Sequence, residues 1–216
     1  MTNASKTRAK RDTYRHGDLR RALLEAGIAL ARSGGPEAVV LREATRRAGV
    51  APNAAYRHFA SRQALLQAVR AAALSAVAVA MESELAVLPK DLSPADFARA
   101  SVRAVGTGYL RFAQSETGLF RTAFAAPGEL KSEGQPDPAT AGQSGLNPFE
   151  LLTAALDKLV QAGVMPPERR PGAEFLAWSA VHGLAMLVID GLLGNVVGPQ
   201  MAQVGQRLLD MVEKGL

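Results

Sequence analysis

The chain has 216 residues, 48% of them hydrophobic, and no cysteine. That apolar content suffices for a sizeable core and excludes wholesale disorder, while the lack of thiols excludes disulfides, thiolate metal sites and cysteine nucleophiles. The formal charge of +5 is uneven: residues 1–70 hold 14 Lys and Arg against 5 Asp and Glu, a net of +9, and residues 71–216 hold 11 against 15, a net of −4.

The basicity (pI about 9.9) therefore belongs to the first third. Such an asymmetry points to a module that meets a polyanion, joined to a body that does not. The N-terminus shows no apolar leader, and the uncharged run Phe175–Ile189, 15 residues long, is too short to span a membrane. With the absent cysteine, this fits a cytoplasmic protein with no membrane partner.

Residues 1–16 form a basic arm carrying Lys6, Arg8, Lys10, Arg11 and Arg15. A helix then follows, with Leu19, Leu23, Ala26, Gly27 and Leu30 on one face, Asp18 near its start and Ser33-Gly34-Gly35-Pro36 at its end. Leu41–Ala48 and Pro52–Phe59 are two short helices. Ser61 caps a fourth, with Leu65, Leu66 and Val69 on its apolar side, continuing through the alanine-rich stretch towards Pro89. Ser93-Pro94 opens a helix to about Ser115. A shorter apolar segment holds Leu119, Phe120 and Phe124. Residues 127–148, with four prolines and four glycines, read as a loop. Helical periodicity resumes over 149–163, 173–193 and 199–213. The expectation is an all-α fold of about nine helices, without strands or repeats.

Two short helices joined by a glycine-containing turn, with a third helix before them, make the helix-turn-helix plan, here about residues 40–59. Gly49 supplies the reversal. Pro52 suits a first helical turn. Tyr56 and Phe59, three apart, share a side and are expected to pack back towards Leu23 and Leu65. The outward side then carries Asn53, Ala54, Arg57 and His58. Asparagine can bond an adenine edge and alanine can touch a thymine methyl. Arg57 reaches guanine or phosphate, His58 meets phosphate, and Tyr56 offers its hydroxyl to a phosphate oxygen.

Residues 17–77 resemble the DNA-binding domain of the TetR/AcrR family of transcriptional regulators. The resemblance rests on Tyr56-x-x-Phe59 followed by Ser61-Arg62-x-x-Leu65. The segment Trp178–Leu187, "WSAVHGLAML", resembles the Trp…His-Gly signature of one branch of the family's ligand-binding domains. The resemblance implies DNA contacts from Arg42, Thr45, Asn53, Ala54, Tyr56, Arg57, His58 and Arg62. Three departures stand out. The usual Ile-Ala of the second helix is Ala44-Thr45, and the Thr45 hydroxyl needs either a backbone carbonyl or a DNA phosphate. Val40 and Ala51 stand where capping side chains are usual. Arg62 replaces the usual phosphate-contacting lysine.

The family implies that residues 78–216 bind a small effector and form a homodimer through the last two helices. The residues support this independently. The helix over 173–193 is apolar almost all round, and Met201, Val204, Leu208 and Met211 repeat every three to four residues, as a bundle seam does. Phe112, Phe120, Phe124, Trp178, His182 and Met186 are the candidate pocket residues, suited to an apolar or amphipathic effector. Trp178 and His182 equally suit a core pair with the imidazole hydrogen-bonded.

Catalytic groups are not evident. The three histidines, His16, His58 and His182, lack metal-ligand spacing. Neither a phosphate-binding glycine loop nor a nucleophile elbow is present. The chain is expected to be a non-enzymatic, cofactor-free repressor released from a palindromic operator by its effector. A nonspecific architectural DNA-binding protein, an activator of the same fold, or an all-α enzyme whose N-terminal bundle only resembles a reader are the alternatives.

Overall fold

The computed structural model describes residues 16–125, 137–197 and 200–215. The basic arm up to Arg15 lies outside them. Ten helices follow in order: α1 (His16–Gly34), α2 (Leu41–Arg47), α3 (Pro52–Tyr56), α4 (Arg62–Ala86), α5 (Pro94–Ser115), α6 (Thr117–Phe124), α7 (Pro148–Gln161), α8 (Ala173–Ile189), α9 (Gly194–Val197) and α10 (Met201–Gly215). There is no strand among the described residues, and apart from the four-residue α9 the helix count agrees with the all-α expectation.

Caps explain most boundaries. Ser61 accepts from Ala64 N at 3.1 Å to start α4, and Ser93 accepts from Asp96 N at 3.1 Å to start α5. At α7, Asn147 and Glu150 form a reciprocal capping box. Two ends differ from expectation. The third helix stops at Tyr56, because His58 N and Phe59 N both turn back to Ala55 O and Ser61 must be extended to cap α4. The eighth stops at Ile189, where Arg121 from α6 donates to the Ile189 carbonyl at 2.8 Å and Asp190 closes the last turn.

The core is centred on α4. By length and composition α4 is the one described helix apolar enough to cross a membrane. Here its apolar side chains pack against protein. Leu65 and Val69 face α1, and Val77, Ala78 and Met81 are buried where α4 meets α5, α6 and α7. Gly108 lets α5 lie directly on it, since a Cβ there would sit 2.6 Å from the Ala80 carbonyl oxygen.

Half of the expected loop is a docked segment. Residues 137–147 begin with a 3₁₀ turn, Pro138–Thr140, and lie against α4. Ser75 donates to the Ala141 carbonyl at 2.6 Å, and the Glu82 carboxylate accepts from the N–H groups of Gln143 (2.8 Å) and Ser144 (2.9 Å) and from the Ser144 hydroxyl. Burial opposes ionisation of Glu82, but these donors outweigh it and hold the carboxyl below its usual range.

The N-terminal helices join the body at a second place, where α6 begins. A Cβ on Gly118 would stand 2.3 Å from the Ala31 carbonyl oxygen and 2.4 Å from that of Arg32, so the end of α1 lies against the first turn of α6. Arg32 Nε bridges to Glu116 at 2.7 Å across the same junction. Because both obstacles are backbone, Gly118→Ala is expected to force the helices apart and to destabilise the protein by about 1–3 kcal/mol. Urea unfolding of the variant against wild type checks this, and equal midpoints would contradict the close approach.

Candidate nucleic-acid interface and effector site

The turn between α2 and α3 is a Schellman closure. Val50 N donates to Thr45 O and Gly49 N to Arg46 O, both at 3.2 Å, while Gly49 adopts φ 67°. Neither α2 nor α3 has a side-chain cap; Val40 and Ala51 precede them in extended conformation. Ala55, fully buried, is the residue that plants α3 against α1 and α2, a role that its small size hides in the sequence.

Tyr56 is 58% exposed, contrary to the expectation that it packs inward with Phe59. The shared face requires a continuous helix, and α3 ends before Phe59 reaches it. Phe59 alone turns in, buried beneath the Arg20 guanidinium at 5.2 Å. The outer surface of this unit exposes Arg42, Asn53, Tyr56 and Arg57, with Ala54 and His58 half-buried beside them.

Two expected contact residues lie elsewhere. Thr45 is 4% exposed and donates to the Leu41 carbonyl at 2.6 Å, so of its two possible partners it takes the carbonyl and is withdrawn from the surface. Arg62 points back into the fold, donating from Nε to Val39 O at 2.8 Å and from Nη2 to Pro36 O at 2.9 Å. On α2, Glu43 is gripped by Arg46 at 2.7 and 2.8 Å and by Arg47 at 3.2 Å, and these bonds, Arg46 first, hold its carboxyl down at about 2.

In the body, Phe120, Phe124, Trp178 and His182 come together as one aromatic cluster. Phe120 and Phe124 lie 4.9 Å apart, Phe124 and His182 5.0 Å, and Trp178 and His182 5.7 Å. Phe149 joins from α7, 6.0 Å from Trp178. Tyr109 stands at the centre. Trp178 Nε1 donates to its hydroxyl at 3.1 Å, and the hydroxyl lies 2.7 Å from His182 Nδ1. With the Trp178 N–H already donated to the phenol oxygen, the Nε2–H tautomer of His182 lets the phenol proton go to Nδ1. Burial pushes the Tyr109 phenol well above its usual range, against the smaller opposing effect of the Trp178 bond, and pushes His182 below its own. Both directions favour the neutral forms of the phenol and the imidazole.

Tyr109 was not among the sequence-predicted residues. Its signal was the three-residue step to Phe112 on α5, masked by Phe112 being the more apolar of the two. Phe112 is buried and Met186 packs on the core. A cleft of about 240 Å³ is lined by Ala113, Gln114, Thr117, Ala185, Val188, Ile189 and Met201. None of the six expected pocket residues lines that cleft, although Phe112 and Met186 are chain neighbours of residues that do.

Residues 23–69 match the family model for bacterial regulatory proteins of the tetR family, and residues 102–212 match that for the tetracyclin repressor-like C-terminal domain. The chain belongs to the TetR family. Its N-terminal helices are therefore a TetR-type DNA-binding domain, and its place is in transcription regulation. No curated protein matches the sequence.

Among solved structures, the TetR-family chain is similar to a protein of unknown function from Rhodococcus sp. RHA1, at 25% identity and TM-score 0.72 over 95% of this chain and 98% of that one. It is also similar to the TetR family transcriptional regulator PfmR from Thermus thermophilus, at 21% identity and TM-score 0.56 over 90% of this chain and 98% of that one. These likenesses concern the fold.

The relay makes stability depend on pH in a defined direction. A histidine whose folded pKa lies below its unfolded value near 6.5 contributes stability that is complete above that value. The contribution is lost as pH falls, because the unfolded chain takes up the proton first. Unfolding free energy is expected to drop more steeply between about pH 7 and pH 5 in wild type than in His182→Gln. Parallel pH profiles for the two would show that His182 is not held neutral.

Proposed function

We propose that the protein is a homodimeric repressor that binds a palindromic operator and is released by a small apolar or amphipathic effector. The observation that carries the DNA half is the joint exposure of Arg42, Asn53, Tyr56 and Arg57 around a Schellman-closed turn. Asn53 lies near the start of α3, where side chains of a recognition helix meet base edges, while Arg57 at its end serves a guanine or a phosphate. Tyr56 offers its hydroxyl to the backbone. His58, half-buried, and Ala54 complete the rim. The basic arm with Arg8, Lys10, Arg11 and Arg15 extends the grip on phosphates. The unit responsible is residues 17–77, and the remainder, 78–216, serves effector and partner. Such a regulator acts in the cytoplasm and needs no catalysis.

The dimer half rests on apolar surface that the single chain leaves open. Leu176 is 67% exposed and Met211 60%, and Phe175 and Leu187 lie with Leu176 on the uncovered side of α8. Gly183 on that side has open space before it. Pairing α8 and α10 with a second copy would cover this face as a four-helix seam and would set two reading heads about 34–36 Å apart, one turn of DNA or its multiple.

The effector half rests on the cleft in the body. Its walls are apolar except for Gln114 and Thr117, which suits a ligand with an apolar body and one polar end. A ligand there would touch α5, α6, α8 and α10 together, and only unequal affinity for two arrangements of those helices would release DNA.

Selection of duplexes from a random pool, followed by titration of selected and scrambled sequences at one salt concentration, tests the DNA reading. Discrimination by a factor of at least about 10³ is expected, and equal affinities would favour a nonspecific architectural protein. Arg57→Ala is expected to cost about 1–3 kcal/mol on the selected duplex. Leu176→Glu is expected to shift sedimentation velocity from dimer to monomer; an unchanged dimer would remove α8 from the seam.

A further inference from the structure

The first residue of α4 is placed oddly for a phosphate contact. Arg62 sits at the helix N-terminus, where the positive end of the macrodipole disfavours a cation. Two backbone carbonyls offset that. The Nε–Nη2 edge of the guanidinium spans Val39 O at 2.8 Å and Pro36 O at 2.9 Å, and Glu37 Oε2 lies 3.5 Å from Nη2. These carbonyls belong to the corner between α1 and α2, 23 and 26 residues back in the chain. The other bonds of this corner among the described residues, Gly35 N to Ala31 O, Ala38 N to Gly35 O and Val39 N to Pro36 O, are short-range and do not reach α4. Val40 offers α2 no side-chain cap, Val39 is fully buried, and the 3₁₀ turn Pro36–Ala38 leans on α6.

From this geometry we infer that Arg62 is a positioning residue, which fixes α2, and through the Schellman turn α3, relative to α4. The inference rests on the DNA-reading function proposed above and assigns Arg62 a part in it other than phosphate contact. An arginine is required because its planar fork meets two carbonyls at once, whereas a lysine ammonium is a single point of charge on a flexible stem. Because α4 continues into the body, a displacement of α4 draws the α1–α2 corner with it through this fork. Without the fork, α2 would follow α4 through its packing on α1 and through the chain by way of α3.

The phosphate role and the positioning role separate on the conservative substitution. Arg62→Lys keeps the charge and loses the fork; Arg62→Gln loses both. If Arg62 positions α2, both variants bind the selected duplex roughly tenfold or more weakly than wild type, as expected for losing hydrogen bonds from a charged donor. Their log affinity then falls with log salt at the wild-type slope. In the free protein, amide exchange over residues 36–42 speeds up while α5 and α10 stay protected.

Wild-type affinity in Arg62→Lys would overturn the inference. So would a salt slope lowered by about one in Arg62→Gln with exchange at 36–42 unchanged, the signature of a lost phosphate contact. Loss of protection in α5 and α10 as well would also overturn it, because a local strut loosens only its own corner. If wild type prefers no duplex over any other, the DNA-reading proposal fails, and the exchange measurement on the free protein still judges the strut.

Discussion

One helix belongs to both halves of the molecule, and the rest of the structure is arranged around covering it. The 25 residues of α4 make a rod of about 37 Å. Its first turns supply Leu65 and Val69 to the core under α1, and its later turns supply Val77, Ala78 and Met81 to the core under α5. A helix this apolar is tolerable in water only if most of its circumference is covered, so the two halves cannot be separated without exposing it. A division near residue 77 therefore falls within a helix rather than in a linker. Any tilt of α4 in the body is a tilt of the reading head.

Polar ties fix where that rod can go. Arg62 holds its start to the α1–α2 corner. Arg70 Nε donates to the Ala123 carbonyl on α6 at 3.0 Å, Glu82 is clasped by Gln143 and Ser144, and Arg111 of α5 pairs with Glu84. The small residues along the rod admit backbones rather than side chains as neighbours, as Gly108 against Ala80 shows. Close backbone packing leaves little room for the helices to separate and more for them to slide. The junction of Gly118 with the end of α1 gives α6 its own route to the head. The α6 helix also carries Phe120 and Phe124, so the aromatic cluster and the reading head share a structural element.

The helices were legible because their apolar spacing, their serine caps and the Gly49 turn all act locally. The branched relay was not. Tyr109 accepts from Trp178 and faces His182, residues some seventy positions away, and nothing in the spacing along α5 announces those partners. The 137–147 segment reads as a loop by composition, since its order comes from Ser75 and Glu82 on another helix. Tyr56 and Phe59 misled in a different way. Their spacing is right for one helix face, but the cap demanded by Ser61 ends α3 between them. Arg62 kept the charge pattern of its family while its guanidinium turned inward, a choice made by the carbonyls of a corner not adjacent in sequence.

The same inward use of cations changes what the net charge of the first third means. Of its described arginines, Arg21 lies near Glu25, Arg32 pairs with Glu116, and Arg46 and Arg47 both serve Glu43. Arg62 and Arg70 hold carbonyls, and Arg20 covers Phe59. Only Arg42 and Arg57 stand exposed without such a partner among the described residues. A net of +9 over residues 1–70 would suggest a broad electrostatic grip on DNA. Much of that charge instead assembles the reader, which leaves long-range attraction intact but reduces the cations able to displace counterions from phosphates. On the proposed reading, contacts from Asn53, Tyr56 and Arg57 would then carry a larger share of affinity than the composition implies, with the arm bearing Arg8, Lys10, Arg11 and Arg15 as the main reserve of phosphate-binding charge.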